Sequence, residues 1–540
     1  MTLTYETEVA IVGAGPAGVI LANLLGRYGV SVLVLEREKE VVDMPRAVGI
    51  DDAAIRTLQS FGMAEPILDG VIRNVPVRYY DSRGRLLAHV PPGPRRYGWP
   101  RRNLCYQPFL EQRLRANLAR FATVELLCGA EVFELRQDSA GAHLRAWVGT
   151  EPAKINARFV IGADGGGSFV RKAVGIDLVG DTAASKWLIV DVEKDTWDAP
   201  YPAVYSSPRR PMATIPLPFA FRRFEFRIQE RENPAEVSSP ESVARLLSPF
   251  YPGSAPPEVV RSRVYLHRSL TAARFQSGQV FLVGDAAHQH PPLLGQGLSA
   301  GIRDVTNLAW KLGEVISGRA GTALLDTYDA ERRDDVRAMG PLAARADRMY
   351  RPGNVLTERV RNDVFQAAHR VPRGREYLTR RRRPVPRYTR GAVLDAANVE
   401  RGSLVGREFP QPTVRTRDGA RAKLDDVLGS RPAVLGLVPE IADRLSPGTA
   451  ARLAAAGGLI VQAHVDPVYR RAGQAGLGGT PAVGELSDVY DVHGELRDLR
   501  LERPADEVYF IRPDRYVACA CPASRLDSTL GRVLDALAYR

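Results

Sequence analysis

Cysteine is scarce in this chain. Its four cysteines, Cys105, Cys128, Cys519 and Cys521, are too few and too scattered for a disulfide framework or a zinc site. They fit a reducing compartment. No apolar run approaches the ~20 residues that a membrane helix requires. Cleavage of a signal peptide would destroy the first strand pattern, which begins near Glu8, so a cytoplasmic protein is expected. No internal period is found, which argues against a repeat architecture. His288 and His290 form H-x-H, but no carboxylate pair or thiolate set lies nearby, so no metal is expected.

Positive charge, by contrast, is in excess. A formal net charge of +12 and a pI of about 9.6 raise nucleic acid or a membrane surface as partners. The densest cluster, "TRRRRPVPRYTRG" (residues 379–391), carries prolines that argue against a recognition helix. It reads as a solvated connector, and neither nucleic acid nor membrane is expected as a partner. The surplus suits a polyanionic cofactor or an acidic substrate instead. The length of 540 residues allows two to four domains.

The segment "EVAIVGAGPAGVILANLLGRYGVSVLVLERE" (residues 8–38) reads as strand, tight turn, helix and second strand, the strands at Val9–Val12 and Ser31–Leu35. Gly13, Ala14, Gly15, Pro16, Ala17 and Gly18 supply G-x-G-x-x-G. Gly13 permits the tight turn, Gly15 lets backbone approach a pyrophosphate, and Gly18 lets the helix pack on the strand. The helix N-terminus favours the phosphate charge. Glu36, 23 residues beyond Gly13, is placed to accept hydrogen bonds from ribose hydroxyls, with Arg37 beside it. An acid there suggests an unphosphorylated ribose, as in FAD or NAD.

A second glycine cluster follows some 270 residues later, in "QVFLVGDAAHQHPPLLGQGLSAGIRDVTNLAWKLGEVI". An apolar strand, Val280–Val283, leads through Gly284 and Asp285 into a Pro- and Gly-rich loop. An amphipathic helix starts near Leu298, with Leu308, Leu312 and Ile316 at helical spacing. Two helix N-termini after glycine turns suit a cofactor with two distant ends. FAD fits, because its adenosine and flavin halves lie well apart.

"GDAAHQHPPLLGQGLSAGIRD" resembles the flavin-side motif of the class A flavoprotein monooxygenases, the 4-hydroxybenzoate hydroxylase type. The resemblance implies that Asp285 holds a ribityl hydroxyl and that Pro292 and the Gly295–Gly297–Leu298 backbone border the isoalloxazine ring. The family's third motif is matched by "IGADGGGSFVRKAVG" (residues 161–175), with Asp164 in place, and Arg46 and Gln107 match further flavin contacts. One departure stands out. Ser299 occupies the position where asparagine is common, and it is expected to cap the helix instead.

The implied fold is α/β, a Rossmann-type FAD-binding domain (residues 1–175 and 276–345) with an inserted β-sheet substrate domain (176–275). A helical, Arg- and Pro-rich connector (346–400) and a thioredoxin-like C-terminal domain (401–540) follow. "VYFIRPDRYVACA" (residues 508–520) resembles that domain's closing hairpin, and Cys519-x-Cys521 is not C-x-x-C, so a packing role is expected. "GLGG" (residues 476–479) follows no strand and is discounted.

The implied activity is hydroxylation of a phenolic ring, ortho to its hydroxyl, with non-covalent FAD, O2 and NADH or NADPH, through a flavin C4a-hydroperoxide. The strands "WLIVDV" and "MATIPLPFAF" resemble the 3-(3-hydroxyphenyl)propionate hydroxylase branch. No second dinucleotide fingerprint is found, so nicotinamide is expected to bind transiently. The halogenase signature W-x-W-x-I is also missing. A flavin oxidase or reductase of the same fold, and a hydroxylase of larger polyketide-type aromatics, are the alternatives. The sequence is compatible with a homodimer, and it names no catalytic proton acceptor.

Overall fold

The computed structural model describes residues 3–539 apart from 45, 182–184, 254–256, 267, 290–296, 351–354, 372–385, 395–401, 466–484, 503 and 505. An eight-stranded sheet forms the centre. The strands Val280–Leu282, Glu151–Gly162, Leu3–Val12, Val32–Glu36 and Val124–Cys128 lie parallel in that order. The first strand starts at Leu3, earlier than its apolar run suggests. Its outer half is partly exposed and held by pairing with Ala153–Ala157, so only Val9–Val12 carries the hydrophobic signal. The helix Pro16–Arg27 packs between this sheet and the helix Gly297–Ile316.

A seven-stranded sheet stands beside it, in the order Val259–Leu266, Lys186–Val192, Phe221–Arg227, Met212–Leu217, Ala203–Ser206, Val77–Asp81 and Leu86–Val90. The last two strands come from the stretch assigned to the FAD-binding segment, so the substrate sheet extends beyond the expected 176–275. Val77–Asp81 joins it through parallel pairing with Ala203–Ser206, a contact across more than a hundred residues that no local pattern announces.

The C-terminal seven-stranded sheet is mixed. Ala433–Gly436, Leu459–His464 and Glu485–Asp491 run parallel, and the hairpin Glu507–Ile511 with Val517–Pro522 pairs antiparallel onto the first of them. That hairpin is the expected strand–turn–strand. Cys519 is buried and Cys521 half-buried, both as free thiols. The "GLGG" segment and most of the arginine cluster lie outside the described residues.

Buried ion pairs dock this unit on the flavin side. Arg56 makes a two-pronged contact with Asp425 at 2.6 and 2.7 Å, and Arg512 reaches Glu331 at 2.7 and 3.0 Å. Lys311 joins Glu331 at 2.9 Å. Among the described residues no helix is long and apolar enough to cross a membrane.

Candidate functional site

The first glycine turn is dictated by sterics. Gly13 has φ +103°, and a Cβ there would lie 2.5 Å from the Ala163 carbonyl oxygen. A Cβ on Gly18 would sit 1.9 Å from the Gly13 oxygen, so the helix could not start this close to the strand. Gly15 differs: nothing lies within 4 Å of the position its Cβ would take. It caps the helix with Pro16 in the first turn, leaving helix amides open toward that space.

Glu36 ends its strand 9% exposed, where Oε2 accepts from the Ala14 amide at 2.7 Å and Oε1 from the Glu38 amide at 2.9 Å. A carboxylate has lone pairs left for ribose hydroxyls. Arg37 points away and pairs with Glu38 at 3.1 Å, its side chain 70% exposed. Arg115 was not foreseen. It donates to the Ala14 carbonyl at 3.1 Å and lies 4.0 Å from Glu36 and 3.8 Å from Glu111. The available signal was spacing, since Gln107, Glu111 and Arg115 share one face of the helix Gln107–Asn117.

The two glycine clusters touch. Gly284 has φ +58°, and a Cβ on it would come within 3.2 Å of the Ala17 side chain. A Cβ on Gly301 would lie 3.2 Å from the Gly284 Cα. Three small residues therefore let the two helices and the second turn meet. Asp285 follows in the short turn Gly284–Ala286, open to solvent, yet enough protein surrounds it that desolvation pushes its carboxyl up. His288 and Arg46 pull the other way.

Behind the turn sits Asp304, fully buried. It accepts from the Gly284 amide at 2.9 Å and from Arg332 Nε at 2.8 Å, and meets His288 Nε2 at 2.7 Å. His288 is thus committed to a carboxylate, while His290 lies outside the described residues. Ser299 is no helix cap. It sits inside the first turn of Gly297–Ile316, and its Oγ accepts from the Asp51 amide at 3.3 Å. The Cβ position of Gly297 faces open space, and Leu298 is half-buried beside it. Pro292 and Gly295 lie outside the described residues.

The third motif joins the second directly. Arg171 donates to the Ala286 carbonyl at 3.1 Å and to the Gly166 carbonyl at 3.3 Å. Asp164 Oδ2 accepts from the Val170 amide at 3.0 Å, whereas Oδ1 is buried with no partner among the described residues. A buried acceptor without a donor is costly, and a ligand hydroxyl would satisfy it.

Gln107 works through the backbone. Its Oε1 accepts from the Arg46 and Ala47 amides at 3.1 and 2.6 Å, and its Nε2 donates to Glu111 at 2.6 Å. The substrate sheet reaches the same loop. Arg223, held by Asp191 at 2.7 and 3.0 Å, donates to the Arg46 carbonyl at 2.8 Å. Tyr106 stacks on Phe221 at 4.9 Å, with Phe219 edge-on at 6.1 Å, and donates to Asp43 at 2.9 Å.

An open helix N-terminus, a strand-end acid, an unmatched Asp164 oxygen and a solvent-facing Asp285 form one donor and acceptor set. It fits FAD, whose pyrophosphate needs amides and whose ribose and ribityl chains need acceptors.

Comparison with known proteins agrees. A family described as "FAD binding domain" matches residues 6–341, and one described as "HcaD C-terminal domain" matches 406–536. The chain is 41% identical over 520 residues to a 3-(3-hydroxy-phenyl)propionate/3-hydroxycinnamic acid hydroxylase 2 of Burkholderia vietnamiensis, covering 96% of this chain and 94% of that one. A Mycolicibacterium gilvum protein of the corresponding name is 39% identical over 531 residues, covering 97% and 91%.

Among solved structures, the anhydrotetracycline hydroxylase OxyS of Streptomyces rimosus superposes with a TM-score of 0.72 at 25% identity, covering 98% of this chain and 99% of that one. The flavin-dependent monooxygenase PieE, solved with FAD and substrate, shares the fold at a TM-score of 0.78 and 24% identity, with the same coverage. This chain belongs to the class A FAD-dependent aromatic hydroxylases, enzymes that use NAD(P)H and O2 to hydroxylate phenolic rings.

Proposed function

We propose that this enzyme hydroxylates a 3-hydroxyphenyl carboxylic acid, 3-(3-hydroxyphenyl)propionate or 3-hydroxycinnamate, at the ring carbon ortho to the hydroxyl. The observation that carries this is the 41% identity to a hydroxylase of that name, which runs across 96% of the chain and so includes the substrate sheet. FAD, when bound, supplies the electron relay from NAD(P)H and the activation of O2.

The chain supplies position. Gly13, Gly15, Pro16, Ala17 and Gly18 hold the pyrophosphate, and Glu36, with Arg37 at the rim, binds the adenosine ribose. Asp164 and Asp285 accept flavin-side hydroxyls. Gln107 presents the Arg46 loop. Gly297 and Leu298 border the ring, where amides at a helix N-terminus favour negative charge on reduced flavin. Tyr106, Phe219 and Phe221 offer a face for a planar substrate beside the Arg46 loop.

The C-terminal unit is thioredoxin-like in this proposal, supported by three parallel strands followed by an antiparallel hairpin. Without C-x-x-C, its cysteines pack. Four free thiols support a cytoplasmic enzyme.

Anaerobic stopped-flow and product analysis test this reading. A true substrate should accelerate flavin reduction at least about tenfold, equivalent to ~1.4 kcal/mol of barrier. The product should be the ortho catechol. Peroxide without catechol from both acids would refute the assignment; so would preference for a polycyclic aromatic.

A further inference from the structure

A crevice runs along the junction between the flavin-side unit and the C-terminal sheet. Exposed Arg27 and half-buried Ser60 and Ser430 stand at its mouth, and its cavity volume is about 60 Å³. That is room for roughly four water molecules. One wall is a face of the helix Gly297–Ile316, where Arg303, Asn307 and Trp310 recur at helical spacing. Arg515 and Tyr516 close it from the other side, at the turn between the strands Glu507–Ile511 and Val517–Pro522. Arg515 holds φ +71°, a conformation that a residue with a Cβ adopts rarely.

Each of these five residues carries a buried polar atom with no hydrogen-bond partner among the described residues: Arg303 Nε, Asn307 Oδ1, Trp310 Nε1, Arg515 Nη1 and the Tyr516 hydroxyl. The residues are between 1% and 9% exposed. The carboxylate nearest Arg303 Nε is Asp335, at 3.9 Å. Leaving such atoms unmet costs about 1–3 kcal/mol each, so five around one cavity call for an occupant.

The atoms also say what kind. Guanidinium and indole N–H groups can only donate. Burial pushes the Tyr516 phenol well above its ordinary value, so it too keeps a proton to donate. Asn307 alone is bound to accept, because its Nδ2 is fixed on Glu331 at 2.6 Å. Asp425, Asp514 and Glu408 also line the crevice but are turned to other arginines. Asp425 meets Arg56 at 2.6 Å, Asp514 meets Arg512 at 2.9 Å, and Glu408 lies 3.4 Å from Arg56.

We propose that this crevice binds one small oxyanion that still carries an O–H, of the hydrogen phosphate class. Its oxygens accept from Arg303, Trp310, Arg515 and Tyr516, and its O–H donates to Asn307 Oδ1. The ion joins the C-terminal hairpin to the helix whose first turn holds Leu298 and Ser299.

Equilibrium dialysis of the FAD-loaded full chain against radiolabelled inorganic phosphate, from about 10 µM to 10 mM, tests this. Wild-type protein should take up one phosphate per chain. Arg515→Gln should weaken binding at least about tenfold, ~1.4 kcal/mol. Trp310→Phe deletes one N–H and keeps an aromatic ring in the wall, so it should weaken binding about threefold to tenfold in a folded protein. Retained flavin absorbance verifies the fold of both variants, and Trp310→Phe carries the test alone if Arg515→Gln does not fold. Absence of saturable uptake leaves the crevice to water and overturns the proposal. Phosphate held equally by wild type and Trp310→Phe overturns it as well, by placing the ion elsewhere. Sulfate, which has no O–H at neutral pH, should bind at least about threefold more weakly; sulfate as tight as phosphate overturns the protonated class.

Discussion

Replacing Asp304 by asparagine tests whether the second glycine turn is held from behind. The carboxylate meets three groups: the Gly284 amide at 2.9 Å, His288 Nε2 at 2.7 Å and Arg332 Nε at 2.8 Å. Burial pushes its carboxyl up, but His288 and Arg332 outweigh burial and hold it at about 2. Asp304 is therefore ionised at neutral pH, and His288 Nε2 must donate to it. Its contribution is present above the unfolded value near ~3.9 and is lost as pH falls through about 2.

In Asp304→Asn one oxygen becomes an amino group that confronts donors already in place. Each hydrogen bond to a charged group is worth about 1.5–3 kcal/mol. Arg332 keeps Asp335 at 2.6 Å, so the expected loss of stability is about 2–4 kcal/mol, at or below that of a fully broken buried pair. Gly284 precedes Asp285 directly, so FAD affinity should also fall at least about tenfold, ~1.4 kcal/mol. Asp335→Asn is the control, since it weakens the same arginine without touching Gly284. It should lose stability and keep FAD affinity. Urea unfolding of FAD-free protein measures the first quantity and flavin fluorescence titration the second. Unchanged FAD affinity in Asp304→Asn, or equal losses in both variants, refutes the reasoning.

Asp285→Ala should weaken FAD binding by about one to two decades, from loss of a hydrogen bond to a charged acceptor; full retention of FAD on dialysis would remove Asp285 from the site. Replacing Cys519 and Cys521 together by serine should lower stability by about 1–3 kcal/mol, because a hydroxyl enters packed surroundings. Coupling of NAD(P)H oxidation to hydroxylation should not change, and a specific loss of turnover in folded, FAD-loaded protein would argue for redox work. Burial, then the neighbouring Asp51, raise the Asp52 carboxyl to about 7. A raised carboxyl favours the fold below the unfolded value near ~3.9, and this support is lost as pH rises through about 7. Asp52→Asn should therefore match wild type only below about pH 4, and its advantage should widen by about 1–3 kcal/mol between pH 5 and pH 8; equal differences at both of these pH values would contradict this origin.

The parts of the site that were legible are those whose chemistry is local. Gly13 and Gly18 are demanded by atoms of their own turn and of the adjacent strand end, and Glu36 by the length of one βαβ unit. Gly284, with its positive φ, belongs to the same class. What stayed hidden depends on partners far along the chain. Ser299 looked like a cap, but its partner is the Asp51 amide, 248 residues away. Strands Val77–Asp81 and Leu86–Val90 have ordinary alternation, and only pairing with Ala203–Ser206 assigns them to the substrate sheet. Arg115 and Asp304 are unremarkable charges on helices until the fold turns one toward Glu36 and the other under Gly284.

The buried arginine–carboxylate links to the C-terminal sheet set a rule for chimeras. Arg56 is 4% exposed, and its partner Asp425 lies 369 residues away. Grafting the C-terminal unit of another hydroxylase onto the first 400 residues would place Arg56 against whatever stands at position 425. A neutral residue there removes both short contacts and leaves a buried cation facing Glu408 at 3.4 Å, where breaking a buried pair costs up to about 3–5 kcal/mol. Glu331, 1% exposed, would keep Lys311 at 2.9 Å but lose its two-pronged contact without Arg512. Arg56, Glu331, Asp425 and Arg512 therefore have to be transplanted as a set, and a graft that divides them inherits a fold with poorly balanced charge sealed in its seam.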